Sequence, residues 1–480
     1  MNSFKSAVIN QTTRTENDMV TRKESADPLV DLFFKIGASR GTDIIPDWIA
    51  AYVNDPQLAI RILLWARDCR GGAGEREIFR SILQYIESTQ GASDTLKAII
   101  NKIPEIGRFD DVFSLQTEPG LRISFELIKN ELNNKNSLAA KWCDRKGPTS
   151  VALRNYLGLS PKAYRKMLVE LTNVTESFMC ANKWDDINYS HVPSICHSRN
   201  QRAFKRHSPE KYDVYVNDLI NKKDGVKICA NAIFPHDVIK LVSQDKDDFS
   251  DLTPTEINVI VEQWNALPDF IGSAKILPMV DVSGSMFCTV GNNSQLTCLD
   301  VAVSLGLYCA DKNKGEFADT FLTFTSVSEL VHLSGNVVEK YRQMIQCDWG
   351  MSTNLHSALD EILKVATHGN VPQDEMPEML LILSDMQFNG CVEFDDSAIQ
   401  MIQRKYINAG YSVPRVVFWN LRASQGVPVK FDENGTALIS GFSPSILTSV
   451  LSADPENFNP RNIMLNTIMS PRYEIIFENS

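Results

Sequence analysis

The chain has 480 residues, of which 43% are hydrophobic and 22% charged, ordinary proportions for a globular protein with room for two or three domains. No apolar run approaches the ~20 residues that span a bilayer, which excludes a helical membrane protein. The formal net charge of −11 argues against nucleic acid for the chain taken whole, yet residues 138–211 hold 13 Lys/Arg against 6 Asp/Glu, a local +7 that leaves −18 elsewhere.

The first stretch, MNSFKSAVINQTTRTENDMVTRKES, is polar and lacks the apolar segment of a signal peptide, so residues 1–27 are expected to form a flexible arm. From 28 to 270 the apolar residues recur at helical spacing, as in Leu58, Ile62, Trp65, Ala66 and Cys69, then Ile78, Ile82, Tyr85 and Ile86. Ser160-Pro161, Ser208-Pro209 and Thr253-Pro254 read as helix starts, a hydroxyl capping free amides and a proline at a position that needs no donor. Successive helix pairs without a clean period predict an α-helical repeat domain of HEAT-like, solenoid type over 28–270. Arg70-Gly-Gly-Ala-Gly-Glu-Arg76 lacks the Lys-Ser/Thr ending of a phosphate loop and reads as an interhelical turn, with Arg67, Arg70 and Arg76 candidates for lining a surface.

The basic block contributes Lys141, Arg145, Lys146, Arg154, Lys162, Arg165, Lys166, Arg199, Arg202, Lys205 and Arg206. Trp142, Tyr156, Tyr164, Trp184, Tyr189 and Phe204 are interleaved with them. Cations for phosphates and planar rings for unpaired bases are what single-stranded RNA binding needs. The competing reading is a solvated helix face with its aromatics in the core.

Beyond about residue 271 the period changes. Short apolar runs (KILPMVDV, DTFLTFTS, SELVHL, EMLLILSDMQF, RVVFWNLR) alternate with the helical stretches TCLDVAVSLGLYCADKN, VVEKYRQMIQ, STNLHSALDEILKVAT and SAIQMIQRKYINAG. This predicts an α/β, Rossmann-like domain over 271–452 with a mostly parallel sheet, followed by a C-terminal extension, 453–480, packing back on the helical half. Ligands in such sheets bind beyond the carboxyl ends of the strands. Asp281, Ser283 and Ser285 stand at one such end, Asp385 at another, and Thr353 just before a helix. Carboxylates and hydroxyls converging there make an all-oxygen shell suited to Mg²⁺ or another divalent cation. Alternatively, the two serines cap the following helix. A serine nucleophile is disfavoured, because Gly284-Ser285 is not G-x-S-x-G and no histidine follows in a triad-like context.

D-x-S-G-S, the downstream Thr and the Ser-Asp resemble the metal-ion-dependent adhesion site of von Willebrand factor A domains. Carried over position by position, the resemblance assigns metal binding to Asp281, Ser283, Ser285, Thr353 and Asp385. WARDCRGGAGERE and FPHDVI, followed by such a domain, resemble the Ro ribonucleoprotein (TROVE-type) family, and more closely its uncharacterised relatives in plants, fungi, bacteria and large phages. The resemblance implies helical repeats closed into a ring by the A domain, with a basic surface that binds structured or misfolded non-coding RNA.

The expectation is therefore a non-catalytic RNA-binding scaffold with a Mg²⁺-dependent A domain. The alternative is a metal-dependent protein–protein adaptor without an RNA role, whose metal site accepts a partner's carboxylate. A metal-using hydrolase ranks last, for want of a general base or activated nucleophile. Neither a membrane nor DNA is an expected partner. Ten cysteines without any C-x-x-C pair, Cys180, Cys229 and Cys309 among them in apolar or helical contexts, fit a reducing, cytoplasmic location.

Overall fold

The computed structural model describes residues 11–230, 232–243, 252–291, 295–314, 316–323, 328–347, 354–390, 396–422 and 426–475. The chain divides into two compact units, one of residues 1–62, 71–73 and 233–470, the other of 63–70, 74–232 and 471–480. The helical stretches of residues 28–62 and 235–265 thus belong with the sheet, not with the helical unit. Their periodicity announces a helix but not the surface that covers it.

In the first unit, β1 (Thr12–Arg14) and β2 (Val20–Arg22) pair antiparallel. Part of the segment expected as a free arm is docked. Thr15 Oγ1 donates to the Phe388 carbonyl at 2.7 Å, Asn17 Nδ2 to that of Gln387 at 2.6 Å, and Met19 is buried. Helix α1 (Pro28–Ile36) starts at Asp27, whose carboxylate accepts from the Leu29 amide at 2.9 Å. It is followed by α2 (Ile45–Asn54) and α3 (Pro56–Arg67), the latter belonging to the second unit from Leu63 on. Gly37, after α1, lies so close to the sheet that an added Cβ would stand 2.8 Å from the Gly441 nitrogen.

The second unit is helical: α4 (Glu77–Gln90), α5 (Asp94–Ile106), α6 (Glu118–Asn133), α7 (Ser137–Trp142), α8 (Pro148–Tyr156), α9 (Pro161–Leu171), α10 (Thr175–Cys180), α11 (Ser194–His207) and α12 (Pro209–Ile220). Arg70–Arg76 joins α3 to α4, with Gly74 at φ 74°. Arg67 does not line a surface. It is buried, paired with Asp111. Of the three hydroxyl-proline starts, Ser160 caps α9 through the Ala163 amide, whereas Ser208 makes no cap before α12 because its hydroxyl donates to Asp185. Cys180 is exposed at the end of α10 rather than packed as a small hydrophobe.

The chain returns to the first unit with α13 (Pro235–Ser243) and α14 (Pro254–Asn265), the latter opened by a reciprocal Thr253–Glu256 cap. Six strands then form one mixed sheet: β3 (Ile276–Val280), β4 (Thr320–Thr323), β5 (Leu330–His332), β6 (Met379–Ser384), β7 (Arg415–Asn420) and β8 (Thr436–Ser440). Their order is β5-β4-β3-β6-β7-β8, parallel except for the antiparallel edge strand β5. β8 was not anticipated. TALIS is a short apolar run that periodicity alone does not assign. Strands β3 and β6 are buried at every residue, the pattern of a parallel strand covered on both faces.

Helices α15 (Cys298–Lys312), α16 (Val337–Gln346), α17 (Leu355–Gly369) and α18 (Ala398–Asn408) alternate with the strands. α15 is seated on β3 so closely that a Cβ on Gly306 would meet Val280 Cγ2 at 2.4 Å. After α19 (Leu447–Leu451), α20 (Pro460–Ile468) packs against β8, while Arg472 and Tyr473 bond to Asp68 in the helical unit. The C-terminal stretch is therefore shared between the units.

Candidate metal centre and basic helical faces

β3 and β6 are neighbours in register, Val280 opposite Leu383, so the chain leaves the sheet at Asp281 and Ser384 side by side. The Asp281 amide donates to the Leu383 carbonyl at 3.0 Å, extending the ladder by one bond. Asp281 Oδ1 then accepts from the Ser283 amide at 2.9 Å, turning the chain, and Oδ2 accepts from the Ser384 hydroxyl. Ser283 and Ser285 bring their Oγ atoms to 3.1 Å on either side of Gly284. Ser283 precedes the short 3₁₀ turn Gly284–Phe287, yet its hydroxyl caps no amide. The capping alternative for Ser283 therefore finds no bond here.

Asp385 follows directly on Ser384 and is fully buried, as is Asp281. Its Oδ1 accepts from the Gln387 amide at 3.3 Å, and Arg422 Nη1 stands 3.9 Å from Oδ2. Met386 takes φ 65°, a conformation uncommon for a non-glycine residue, held by its amide's bond to Ser384 Oγ at 3.0 Å.

Burial and then the Asp385 charge push the Asp281 carboxyl up to about 7, against the bonds from Ser384 and Ser283. Burial also raises Asp385, with the Ser285 hydroxyl, the Gln387 amide and Arg422 opposing. Two adjacent buried carboxylates, both raised by burial, leave a site short of positive charge. The surrounding donors are all oxygen, the chemistry of a hard divalent cation. Among the described residues, no three His, Cys, Asp or Glu side chains gather as a metal-binding group, so the cation candidate rests on two carboxylates and hydroxyls. Thr353, the remaining expected ligand, lies outside the described residues.

Sequence reasoning missed Ser384 and Arg422. Ser384 was visible as the serine of Leu-Ser-Asp, and Arg422 as the cation just past the end of the WN-terminated strand β7. Beside them, the Cys288 thiol is brought down to about 7 by its hydrogen bond with Cys298 and, after the opposing effect of burial, by the Arg422 charge.

The basic block lies wholly in the helical unit. On α9, Lys162, Arg165, Lys166 and Val169 form one exposed stripe at helical spacing, opposite the buried Tyr164 and Leu168. On α11, Arg199, Arg202 and Arg206 do the same opposite His197 and Phe204, with exposed Lys205 at the edge. Arg145 and Lys146 are exposed after α7, with Arg145 Nη2 reaching Thr172 Oγ1 at 3.3 Å. Lys141 and Arg154 are half-buried, and Lys141 is committed to Glu176 at 2.8 Å. Of the interleaved rings, Tyr164, Tyr189 and Phe204 are core. Trp142 carries the Arg108 guanidinium over its face at 4.1 Å, Trp184 stacks on His207 at 4.3 Å, and Tyr156 is exposed. Only Tyr156 is exposed among the cations; Trp142 and Trp184 are half-buried, and the other three rings belong to the core.

The other motifs are structural. Asp68 of WARD is buried and accepts from the Arg70 amide at 3.0 Å, Arg472 Nη2 at 3.0 Å and Tyr473 Oη at 3.1 Å. In FPHDVI, Asp237 Oδ2 accepts from the Phe234 amide at 3.1 Å, while His236 is buried edge-on to Phe442.

Two family models match the chain, both described as domains of unknown function: DUF2828 over residues 144–274 and DUF7788 over residues 275–466. Their junction falls just before β3. The chain is 29% identical to an uncharacterized protein of Acanthamoeba polyphaga mimivirus, over 97% of this chain and 89% of that protein. Among solved structures it is similar to the Ro (RSR) protein of Deinococcus radiodurans, at 13% identity and a TM-score of 0.47, covering 93% of this chain and 100% of that one. No helix among the described residues is long and apolar enough to cross a membrane.

Proposed function

We propose that this protein is a non-catalytic, cytoplasmic RNA-binding scaffold of Ro type. Its helical unit, read as HEAT-like repeats, grips structured or misfolded non-coding RNA, and its α/β unit is a von Willebrand factor A-type domain. The observation that carries this reading is the pair of exposed cation stripes on α9 and α11, in a chain whose sequence motifs resemble that family. Guanidinium and ammonium groups at helical spacing meet successive phosphates, and the exposed ring of Tyr156 offers a stacking face to unpaired bases. The experiment is purification from native cells with and without ribonuclease, with sequencing of what accompanies the protein. Enriched structured RNAs that vanish when Arg145, Lys162 and Arg202 are all replaced by Glu support the reading. Equal RNA recovery with the triple variant refutes it.

A second reading has its own observation, the two buried carboxylates at the ends of β3 and β6. Here Asp281, Ser283, Ser285 and Asp385, together with Thr353, would hold Mg²⁺. When bound, the cation supplies a positive coordination position for a carboxylate from a protein partner. Asp281 and Asp385 provide the charge, Ser384 orients Asp281, and Arg422 draws acidic groups towards the site. A partner captured in Mg²⁺ and released by chelator, from a preparation free of RNA, would place the function here.

A further inference from the structure

Cys288 and Cys298 are ten positions apart, a spacing that carries no motif, and the fold brings their Sγ atoms to 3.4 Å. Three backbone features set that meeting. Thr289 bridges Thr297 antiparallel, the Val290 amide donates to the Leu296 carbonyl at 2.8 Å, and the Cys298 amide donates to the Cys288 carbonyl at 3.0 Å. In that register Cys288 and Cys298 stand directly opposite one another, the relation in which side chains of paired strands touch. Both backbones are further anchored. The Cys288 amide closes the 3₁₀ turn on the Ser285 carbonyl at 3.3 Å. Cys298 is the first residue of α15, held by the reciprocal cap in which Thr297 Oγ1 accepts from the Asp300 amide at 3.1 Å and Asp300 Oδ2 accepts from the Thr297 amide at 2.9 Å. Cys298 is buried and also contacts the Leu421 carbonyl, whereas Cys288 is half-exposed. One thiol is thus open to a small solute and the other waits behind it.

We infer that Cys288 and Cys298 form a reversible dithiol–disulfide site, with hydrogen peroxide as oxidant. The half-buried Cys288, as thiolate, attacks the peroxide. An S–O bond forms, the O–O bond breaks, and the departing hydroxide takes a proton to leave as water. The Cys298 sulfur then attacks the Cys288 sulfenic acid. The S–S bond forms, the S–O bond breaks, and the hydroxyl leaves as water with the Cys298 proton. Two thiols and one peroxide give one disulfide and two waters, each sulfur losing one electron. A reducing dithiol reverses this by two exchange steps. Closing from 3.4 Å to the ~2.05 Å of a disulfide takes a shift of little more than an ångström. The bond ties the turn that carries Ser285 to the start of α15.

The full chain, reduced and then exposed to hydrogen peroxide, is quenched with N-ethylmaleimide, digested and analysed by mass spectrometry. The expected result is a linked peptide joining Cys288 and Cys298, lost after dithiothreitol, while exposed Cys180 is still alkylated. In Cys298→Ser the linked peptide is absent, and Cys288 is captured as sulfenic acid by dimedone. Recovery of Cys288 and Cys298 as separately alkylated peptides after peroxide, with no linked species, overturns the inference. So does a linked signal that persists in Cys298→Ser.

Discussion

Arg67 Nη2 and Asp111 Oδ2 meet at 2.6 Å with 3% and 0% of their side chains exposed, and Arg80 Nη2 reaches the other carboxylate oxygen of Asp111 at 2.7 Å. The Arg108 amide adds a bond to Asp111 at 3.0 Å. This carboxylate joins α3, α4 and the 3₁₀ turn Phe109–Ser114, and its loss leaves a buried guanidinium without its partner. Removing one member of a buried pair costs about 3–5 kcal/mol, far more than the pair itself contributes over an apolar substitute. Asp111→Ala is therefore expected to lower the opening free energy of α4 and α5 by about that amount. Native-state hydrogen exchange of the full chain measures it. Unchanged protection would mean that Arg67 finds water or another acceptor.

The cation stripes predict a salt signature. Each phosphate contact to a single strand contributes roughly 0.7 to the slope of log affinity against log salt. Replacing Lys162, Lys166 and Arg199 together by Gln removes three charges from exposed positions without reversing them. The slope should then fall by roughly 2, and affinity at low salt should drop for every sequence alike, because phosphate contacts carry no base information. Fluorescence anisotropy with a labelled single-stranded RNA at several salt concentrations gives both numbers. A slope equal to that of the unaltered chain removes α9 and α11 from the interface.

The stripes and the strand-end acid were legible because both are short-range patterns. The spacing of Lys162, Arg165 and Lys166 fixes their shared face, and an apolar run closed by D-x-S-x-S fixes where Asp281 stands. What the sequence hid is relational. Tyr164, Tyr189 and Phe204 are interleaved with the cations along the chain, but adjacency in sequence does not say which side of a helix faces inward. Ser384 and Arg422 join the site only through the register of β6 and β7. The hairpin of β1 and β2 has strands of three residues, too short to show a period, and it is held by Gln387, Phe388 and Val427 far along the chain.

Asp281 predicts opposite effects in two solutions. Without divalent cations its charge is buried beside Asp385; burial raises both carboxyls, and the Asp385 charge raises that of Asp281 further. Asp281→Asn removes one of the two charges, so the α/β unit should melt higher than the unaltered chain in chelator. In Mg²⁺ the order should reverse. A ligand at 100 times its dissociation constant adds about 2.7 kcal/mol to the state that binds it, and the variant forgoes this gain. Differential scanning calorimetry in chelator and in Mg²⁺, with isothermal titration for uptake, tests both halves. An equal Mg²⁺ response in the two proteins would show that Asp281 holds no cation.

His197 predicts the pH dependence of the helical unit. Its ring is buried among Phe204, Tyr212 and Tyr215, with Nε2 3.5 Å from the Tyr212 hydroxyl. Burial brings its pKa down to about 4 from an ordinary 6.5. The unfolded chain thus takes up a proton at a pH where the folded one does not. Stability from this residue is complete above pH 6.5, declines as pH falls towards 4, and levels off below, a loss of ~3 kcal/mol across that window. His197→Leu, apolar and of similar volume, should flatten that part of the profile. Hydrogen exchange of α11 and α12 between pH 7 and 4.5, corrected for intrinsic rates, separates the outcomes. The unaltered chain should lose protection that the variant keeps, and parallel losses in both would assign the decline to other groups.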